Sequence, residues 1–181
     1  MIYINFSGGI NTKTSQTLMN CLADLTNKGE KEIYILLSSP GGQVNDGVTL
    51  YNYIKSLPAK IIIHNIGIVD SVSNVVFLAG AERYAVPHSS FLFHGVGFTI
   101  SERTRFEEKQ LNEKITIIER DQKILSQIIA ERTKLTEEET RKMFLEAQTK
   151  TPEEAKTNGI IHEIREAKIP HGAKVVSFVF S

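Results

Sequence analysis

The first half of the chain alternates short apolar runs with segments of helical periodicity. Three runs rich in Ile, Val, Leu and Tyr end in turn-forming residues, which predicts strands over Ile2–Phe6, Glu32–Ser39 and Lys60–Gly67. Between these runs, apolar residues recur every three or four positions, which predicts two helices. The apolar positions are Leu18, Cys21, Leu22 and Leu25 in the first helix and Val44, Val48, Leu50, Tyr51, Ile54 and Leu57 in the second. Strand–helix alternation of this kind favours a largely parallel α/β core.

The second half of the chain has a different pattern. The residues after Gly67 predict a helix as far as about Gly80, followed by strands over Arg83–Val86 and Ser90–His94. From Ser101 to about Lys134 one long helix is predicted, because an apolar stripe runs along it and charged residues fill the other positions. The stripe consists of Leu111, Ile115, Ile118, Leu125 and Ile129. A long charged helix of this kind often contacts other subunits.

Two capping boxes predict two further short helices near the C-terminus. Thr136 pairs with Glu139 in the first box, and Thr151 pairs with Glu154 in the second. A terminal strand is predicted over Lys174–Phe180.

Composition and charge narrow the class of protein. The chain has 181 residues with 21 Lys plus Arg and 21 Asp plus Glu, so nothing favours binding to nucleic acid or to an anionic membrane. No apolar run approaches the roughly 20 residues needed to span a bilayer, and the N-terminus does not resemble a secretory signal. The single cysteine, Cys21, fits a reducing compartment. Without a linker or a repeat, we expect one soluble, cytoplasmic domain over residues 1–181.

The segment Ser39-Pro40-Gly41-Gly42 follows a buried strand and precedes a helix. The two glycines allow main-chain N–H groups to turn outward at the positive end of that helix, where they could hold an oxyanion. The alternative is an ordinary strand-to-helix turn.

Ser71 lies between a strand and an apolar helix. A serine in this position is most often an N-cap. If the hydroxyl instead faces a cleft, it could act as a nucleophile, and the N–H of Val72 could stabilise charge on the attacked carbonyl.

His94 ends the run Phe91-Leu92-Phe93. A single histidine is most often a structural residue, but its ordinary pKa suits proton transfer near neutral pH. The other four histidines show no metal-ligand spacing, so we expect no metal and no cofactor.

Together, in this order, these segments resemble the proteolytic subunit of the Clp protease. That family has a Ser-Pro-Gly-Gly turn, then a serine and a histidine; here 29 residues separate Gly42 from Ser71, and 23 separate Ser71 from His94. The segments Leu78–Ser89 and Thr151–Lys156 are also similar to the family. The resemblance implies a crotonase-like, ClpP-like stack of β-β-α units with a long protruding helix.

The resemblance also implies a function and residue roles. Ser71 matches the nucleophile, His94 the general base, and Gly42 and Val72 the residues whose N–H groups form the oxyanion hole. The expected activity is that of a serine endopeptidase acting on peptides or unfolded proteins. The family assembles as stacked rings, so a homo-oligomeric ring is expected.

The chain departs from the family pattern at the third catalytic residue. An alignment without gaps puts Ala147 where the family has an aspartate, which leaves the neighbouring Glu146 as the nominated acid, with a main-chain or other side-chain acceptor as the alternative. Asp70 stands where the family usually has a small apolar residue, and its carboxylate could oppose an oxyanion or point to solvent. Ser73 and Asn74 replace small residues, so the substrate pocket is expected to differ.

Two other functions fit parts of the sequence. The first is a catalytically impaired, ClpP-like structural or regulatory ring subunit, which Ala147 and Asp70 favour and the retained Ser71–His94 pair opposes. The second is a crotonase-type acyl-CoA enzyme, which would share the fold. Because the chain begins almost at the first core strand, we expect it to lack the segment that forms the axial entrance loops in Clp rings, which argues against docking to an ATP-dependent unfoldase.

Overall fold

The computed structural model describes residues 1–97, 99 and 105–180. The described part of the chain contains eight strands and six helices in one mixed α/β arrangement. The strands are β1 (Ile2–Ser7), β2 (Glu32–Ser39), β3 (Lys60–Asp70), β4 (Glu82–Ala85), β5 (Ser90–Phe93), β6 (Gln148–Lys150), β7 (Glu163–Ile164) and β8 (Val175–Val179). The helices are α1 (Thr12–Asn27), α2 (Val44–Ser56), α3 (Ser73–Leu78), α4 (Glu108–Arg132), α5 (Glu137–Glu146) and α6 (Pro152–Thr157).

The sheet is largely parallel, as the strand–helix alternation predicts. Its order is β6-β5-β3-β2-β1-β8, and β4 pairs with both β3 and β7. Only the β5–β6 pair is antiparallel among the described strands. The carboxyl ends of the neighbouring strands β2, β3 and β5 therefore reach the same edge of the sheet, and the three segments singled out in the sequence follow these ends.

Each face of the sheet buries its own apolar cluster. The larger cluster includes Phe6, Leu37, Phe77, Phe91 and Phe93, none of which is more than 1% exposed. The smaller cluster, on the opposite face, consists of Tyr3, Tyr34, Leu36, Ile62 and Tyr84, with Ala167 and Ala173 of the C-terminal segment packed against it. The residues of β2 alternate between the two clusters, with Leu37 in the larger and Tyr34 and Leu36 in the smaller. Nearly the whole strand is apolar because both of its faces are buried.

The long strand β3 corrects the predicted helix between Gly67 and Gly80. The strand continues through Gly67 to Asp70, because its last three residues pair with β5. The helix that follows, α3, covers only Ser73–Leu78 and is buried along its whole length. A helix without a polar face has no amphipathic periodicity, so its bounds were not readable from the sequence.

The predicted long helix is confirmed as α4, with a later start. The described part of this helix begins at Glu108, and Glu107 forms a capping box with Gln110. The positions 101–104, where the sequence predicts the first turn, lie outside the described residues. The capping boxes at Thr136 and Thr151 are confirmed at the starts of α5 and α6.

No helix in the described ranges is both long enough and apolar enough to cross a lipid bilayer.

Candidate active site

The glycine-rich turn after β2 lies directly against Ser71. Gly41 has φ +88° and Gly42 has φ +151°, a region of backbone conformation that favours glycine. A Cβ atom on Gly41 would be 2.6 Å from both the Asp70 carbonyl oxygen and Ser71 Cβ, and one on Gly42 would be 2.0 Å from the Ile10 carbonyl oxygen. Only glycine at both positions permits this close approach, so the turn is more than a connection between β2 and α2.

Ser71 occupies a strained turn rather than a helix cap. Its φ is +57°, which is unusual for a residue with a side chain. Val72 is the residue at the start of α3, and no side chain caps this helix. The ordinary N-cap interpretation of Ser71 is therefore not supported. The Ser71 N–H instead donates to the Leu92 carbonyl oxygen at 2.8 Å, which ties the turn to β5.

The buried side chain of Ser73 connects the end of β2 to the end of β3. Its buried hydroxyl lies 3.1 Å from the Ser39 carbonyl oxygen and 2.6 Å from the Asp70 carbonyl oxygen. A hydroxyl that bridges the ends of β2 and β3 holds the glycine-rich turn against Ser71. This residue therefore contacts main-chain groups, and its expected effect on the substrate pocket stays a prediction.

Main-chain donors are available beside Ser71. Within the described part of the chain, neither the Gly42 N–H nor the Val72 N–H donates a hydrogen bond. Gly42 belongs to the turn that contacts Ser71, and Val72 follows Ser71 directly. Free N–H groups next to a hydroxyl can stabilise an oxyanion that forms when the hydroxyl attacks a carbonyl.

His94 is exposed and follows the last residue of β5. Its Nδ1 atom is 2.9 Å from the carbonyl oxygen of Gly95. Because a carbonyl oxygen only accepts, this contact assigns the proton to Nδ1 and leaves the lone pair on Nε2. Among the described residues, no hydrogen bond joins His94 to Ser71 Oγ. The two residues are nevertheless close along the sheet, since Ser71 is bonded to Leu92, two positions before His94.

The position that the sequence alignment gives to the family's acid is Ala147, which carries no carboxylate. The pairing of β5 with β6 ends at Phe93 and Gln148, and Ala147, which precedes Gln148, adopts φ +50° at the end of α5. The neighbouring Glu146 contacts Gln148, and its carboxylate is 4.0 Å from Lys142 Nζ. The described residues show no hydrogen bond between Glu146 and His94, so its assignment as the third catalytic residue stays a prediction.

Asp70, directly before Ser71, is a carboxylate whose side chain contacts β5. Its Oδ1 accepts a hydrogen bond from the Leu92 N–H at 3.2 Å. Burial raises the pKa of Asp70, while the Leu92 N–H and the nearby charge of His94 lower it. The sequence marked Asp70 only as a departure from a family pattern, because its hydrogen bond depends on the β3–β5 register.

A cleft of about 570 Å³ opens beside the glycine-rich turn. One wall is formed by Gly42, Gln43 and Val44, and the opposite wall includes Ile117 and Ile118 of α4. The α4 side also carries the charged residues Lys114 and Asp121, so the cleft offers both apolar and polar side chains to a bound peptide.

None of the His, Cys, Asp and Glu side chains in the described ranges are grouped in a way that could hold a metal ion.

The fold and the site together define an α/β protein with a candidate serine nucleophile at the carboxyl ends of parallel strands. The family model described as Clp protease matches residues 2–168, and the chain belongs to this family. Membership implies a peptidase. Among solved structures, the chain is similar to one described as a mutant of ClpP1 from Listeria monocytogenes. The match has 23% sequence identity, a TM-score of 0.82 and covers 92% of each chain.

These comparisons confirm the predicted ClpP-like fold with its long helix. They do not favour the crotonase-type acyl-CoA alternative.

Proposed function

We propose that this chain is a serine endopeptidase in which Ser71 is the nucleophile and His94 the general base. The main-chain N–H groups of Gly42 and Val72 form the oxyanion hole. The observation that carries the proposal is the packing of Gly41 against Ser71, since a Cβ atom on Gly41 would lie 2.6 Å from Ser71 Cβ. This packing brings the proposed oxyanion donors to the hydroxyl that would create the oxyanion.

The proposed reaction is acyl transfer. Ser71 Oγ attacks the peptide carbonyl carbon while its proton passes to His94 Nε2, and the N–H groups of Gly42 and Val72 hold the oxyanion. When the peptide C–N bond breaks, His94 returns this proton to the leaving amine. Water, deprotonated by His94, then attacks the acyl-enzyme ester, and the proton goes back to Ser71 Oγ as the ester bond breaks.

The resting geometry fits a base that is oriented by the main chain. With Nδ1–H directed at the Gly95 carbonyl oxygen, Nε2 is free to accept a proton. The exposed ring must move toward Ser71 for proton transfer, and catalytic hydrogen bonds commonly tighten only when substrate is bound.

The proposed substrates are peptides or unfolded proteins, which would lie in the cleft between the glycine-rich turn and α4. We expect a homo-oligomeric ring, because Leu111, Ile115 and Ile117 of α4 are 44%, 50% and 49% exposed in the single chain. We expect the protein to act in the cytoplasm.

A second candidate function is a catalytically impaired structural or regulatory ring subunit. The observation that favours it is Ala147, which supplies no carboxylate at the position where the family pattern has the acid that orients the histidine. Loss of such a carboxylate can lower the rate by roughly 10⁴-fold while leaving residual catalysis.

Hydrolysis of a fluorogenic peptide by the wild type, Ser71→Ala and Glu146→Gln tests both functions. We expect turnover by the wild type and a loss of roughly 10⁴-fold or more in Ser71→Ala, because the nucleophile is gone. Unchanged turnover in Glu146→Gln would remove Glu146 from the site. Circular dichroism confirms that the variants are folded. Wild-type turnover no higher than that of Ser71→Ala would favour the impaired subunit.

A further inference from the structure

Both main-chain polar groups of Leu92 are held by side chains from the turn around Ser71. The Leu92 N–H donates to Asp70 Oδ1 at 3.2 Å. The Leu92 carbonyl oxygen accepts from Asn74 Nδ2 at 2.8 Å and from the Ser71 N–H at 2.8 Å. Asp70, immediately before Ser71, and Asn74, three positions after it, therefore both form hydrogen bonds with the main chain of Leu92 in β5.

The orientation of the Asn74 amide follows from its neighbours. Nδ2 lies 2.8 Å from the Leu92 carbonyl oxygen and 3.1 Å from the Ser71 carbonyl oxygen. Both of these atoms only accept, so the NH₂ group must face them. Asn74 is 1% exposed, and its Oδ1 atom has no hydrogen-bond partner among the described residues.

The Asn74 side chain is not required to satisfy these carbonyl groups. The Ser71 carbonyl oxygen also accepts from the Asn74 main-chain N–H at 3.1 Å, and the Leu92 carbonyl oxygen also accepts from the Ser71 N–H. A buried oxygen without a partner costs free energy. A small apolar residue would avoid this cost without leaving an unpaired carbonyl, so the contribution of Asn74 to folding stability is small or negative.

Leu92 lies two positions before His94, and only Phe93, the last residue of β5, lies between them. Phe91 and Phe93 are buried, whereas Leu92 is half-buried and His94 is exposed, which fits side chains of Leu92 and His94 on the side opposite to those of Phe91 and Phe93.

Ala147 has no polar side-chain atom that could orient the His94 ring. After His94, the Gly95 N–H donates to the Phe144 carbonyl oxygen at 3.0 Å, which fixes this segment against α5. Before His94, the hydrogen bonds of the Leu92 main chain join the same segment to the turn that carries Ser71.

We propose that Asp70 and Asn74 are positioning residues that clamp Leu92 and thereby fix His94 relative to Ser71, in place of the carboxylate missing at Ala147. The proposal rests on the proposed function of Ser71 and His94. Burial raises the pKa of Asp70, while its hydrogen bond from the Leu92 N–H lowers it. In the clamp, the acceptor oxygen of Asp70 matters more than its charge.

The test compares Asn74→Ala, Asp70→Ala and Asp70→Asn with the control Asn65→Ala. Asn65 is a buried asparagine on the same strand pair: its Nδ2 donates to the Ser90 carbonyl oxygen at 2.9 Å and its Oδ1 accepts from the Gly67 N–H at 2.9 Å. Steady-state peptide hydrolysis gives kcat and KM, and thermal unfolding gives Tm. Hydrogen exchange, measured by NMR, reports on the Leu92 amide.

We expect Asn74→Ala and Asp70→Ala to lower kcat roughly 10- to 100-fold, with KM nearly unchanged, because a small displacement of a catalytic group is costly. Asp70→Asn keeps an acceptor oxygen and should retain most of kcat. Asn74→Ala should keep or raise Tm. Asn65→Ala should lower Tm and leave kcat unchanged, since both of its partners lose their hydrogen bonds.

Three outcomes would overturn the clamp. The first is a wild-type kcat in Asp70→Ala or in Asn74→Ala. The second is a higher kcat in both Asp70 variants, which would mean that the carboxylate opposes the oxyanion. The third is a decrease in Tm in Asn74→Ala as large as that in Asn65→Ala.

Hydrogen exchange separates failure of the clamp from failure of the proposed function. If the wild type has no turnover, the proposed function fails, but the Leu92 amide should still exchange faster in Asp70→Ala than in the wild type. Equal exchange rates at Leu92 would overturn the clamp whether or not the wild type hydrolyses peptides.

Discussion

Ser71 has a strained backbone conformation and packs against Gly41. Its φ of +57° costs roughly 1–2 kcal/mol relative to an ordinary conformation. The hydrogen bond from its N–H to the Leu92 carbonyl oxygen helps to hold this conformation. Strained residues of this kind are concentrated at functional sites, which supports the proposed nucleophile.

His64 lies in an environment that makes the stability of the protein depend on pH. It is fully buried, and its Nε2 donates to the Arg165 carbonyl oxygen at 3.0 Å while Nδ1 accepts from the Tyr34 hydroxyl at 2.8 Å. Burial lowers the pKa of His64 from 6.5 to about 4. The neutral ring therefore joins β3 to the C-terminal segment across the smaller apolar cluster.

The low pKa of His64 predicts a loss of stability in acid. Between pH 6.5 and about 4 the unfolded chain binds a proton that the folded chain does not, so stability falls as the pH falls. From about pH 7.5 to about pH 5 the expected loss is about 2 kcal/mol in the free energy of unfolding. Urea unfolding at the two pH values measures it.

The matched variant is His64→Gln, which supplies a donor and an acceptor but does not titrate. Its stability should depend less on pH than that of the wild type. The same pH dependence in both proteins would show that other groups are responsible.

At the scale of elements, periodicity predicted the amphipathic helices and the strands with clear turn residues. α1, α2 and α4 each bury one side, so their apolar spacing is visible in the sequence. The boundary between β3 and α3 was predicted wrongly because α3 is buried along its whole length and shows no amphipathic periodicity. β6 and β7 were not predicted, since a strand of three or two residues exists only through the partner with which it pairs.

The candidate site was only partly predictable, because some of its contacts depend on how the strands pair. Local context made Ser71, His94 and Gly42 candidates, and the resemblance to the Clp protease subunit assigned their roles. Asp70 and Asn74 contact Leu92 only because β3 and β5 pair in register, and no local pattern reports such a contact. The Gly95 carbonyl oxygen as partner of His94 is likewise a property of the folded main chain.

The exposed apolar residues of α4 lead to a prediction about the oligomeric state. Ile115 is 50% exposed in the single chain, and a ring would bury it. Ile115→Lys should therefore lower the molecular mass in solution toward the 20.3 kDa of one chain. The control is Glu113→Lys, which introduces the same residue on another side of α4.

Sedimentation velocity measures this mass. A large assembly in the wild type and in Glu113→Lys, but not in Ile115→Lys, is the expected result. A wild type that sediments as a single chain would contradict the ring.

At the scale of the whole molecule, the parallel sheet explains why distant segments form one site. Ligand sites in such sheets lie beyond the carboxyl ends of the strands. Here the ends of β2, β3 and β5 supply the glycine-rich turn, Ser71 and His94. The last strand, β8, lies beyond the matched residues 2–168 and pairs with β1 on the far side of the sheet from β5.

The most direct test of the account is to map where a fluorophosphonate probe reacts. The probe modifies only a serine that a neighbouring base activates, and peptide mass spectrometry identifies the residue. We predict one adduct on Ser71 in the wild type, strongly slowed labelling in His94→Gln and none at this site in Ser71→Ala. An unmodified Ser71 in the folded wild type, or equal labelling in His94→Gln, would contradict the proposed Ser71–His94 mechanism.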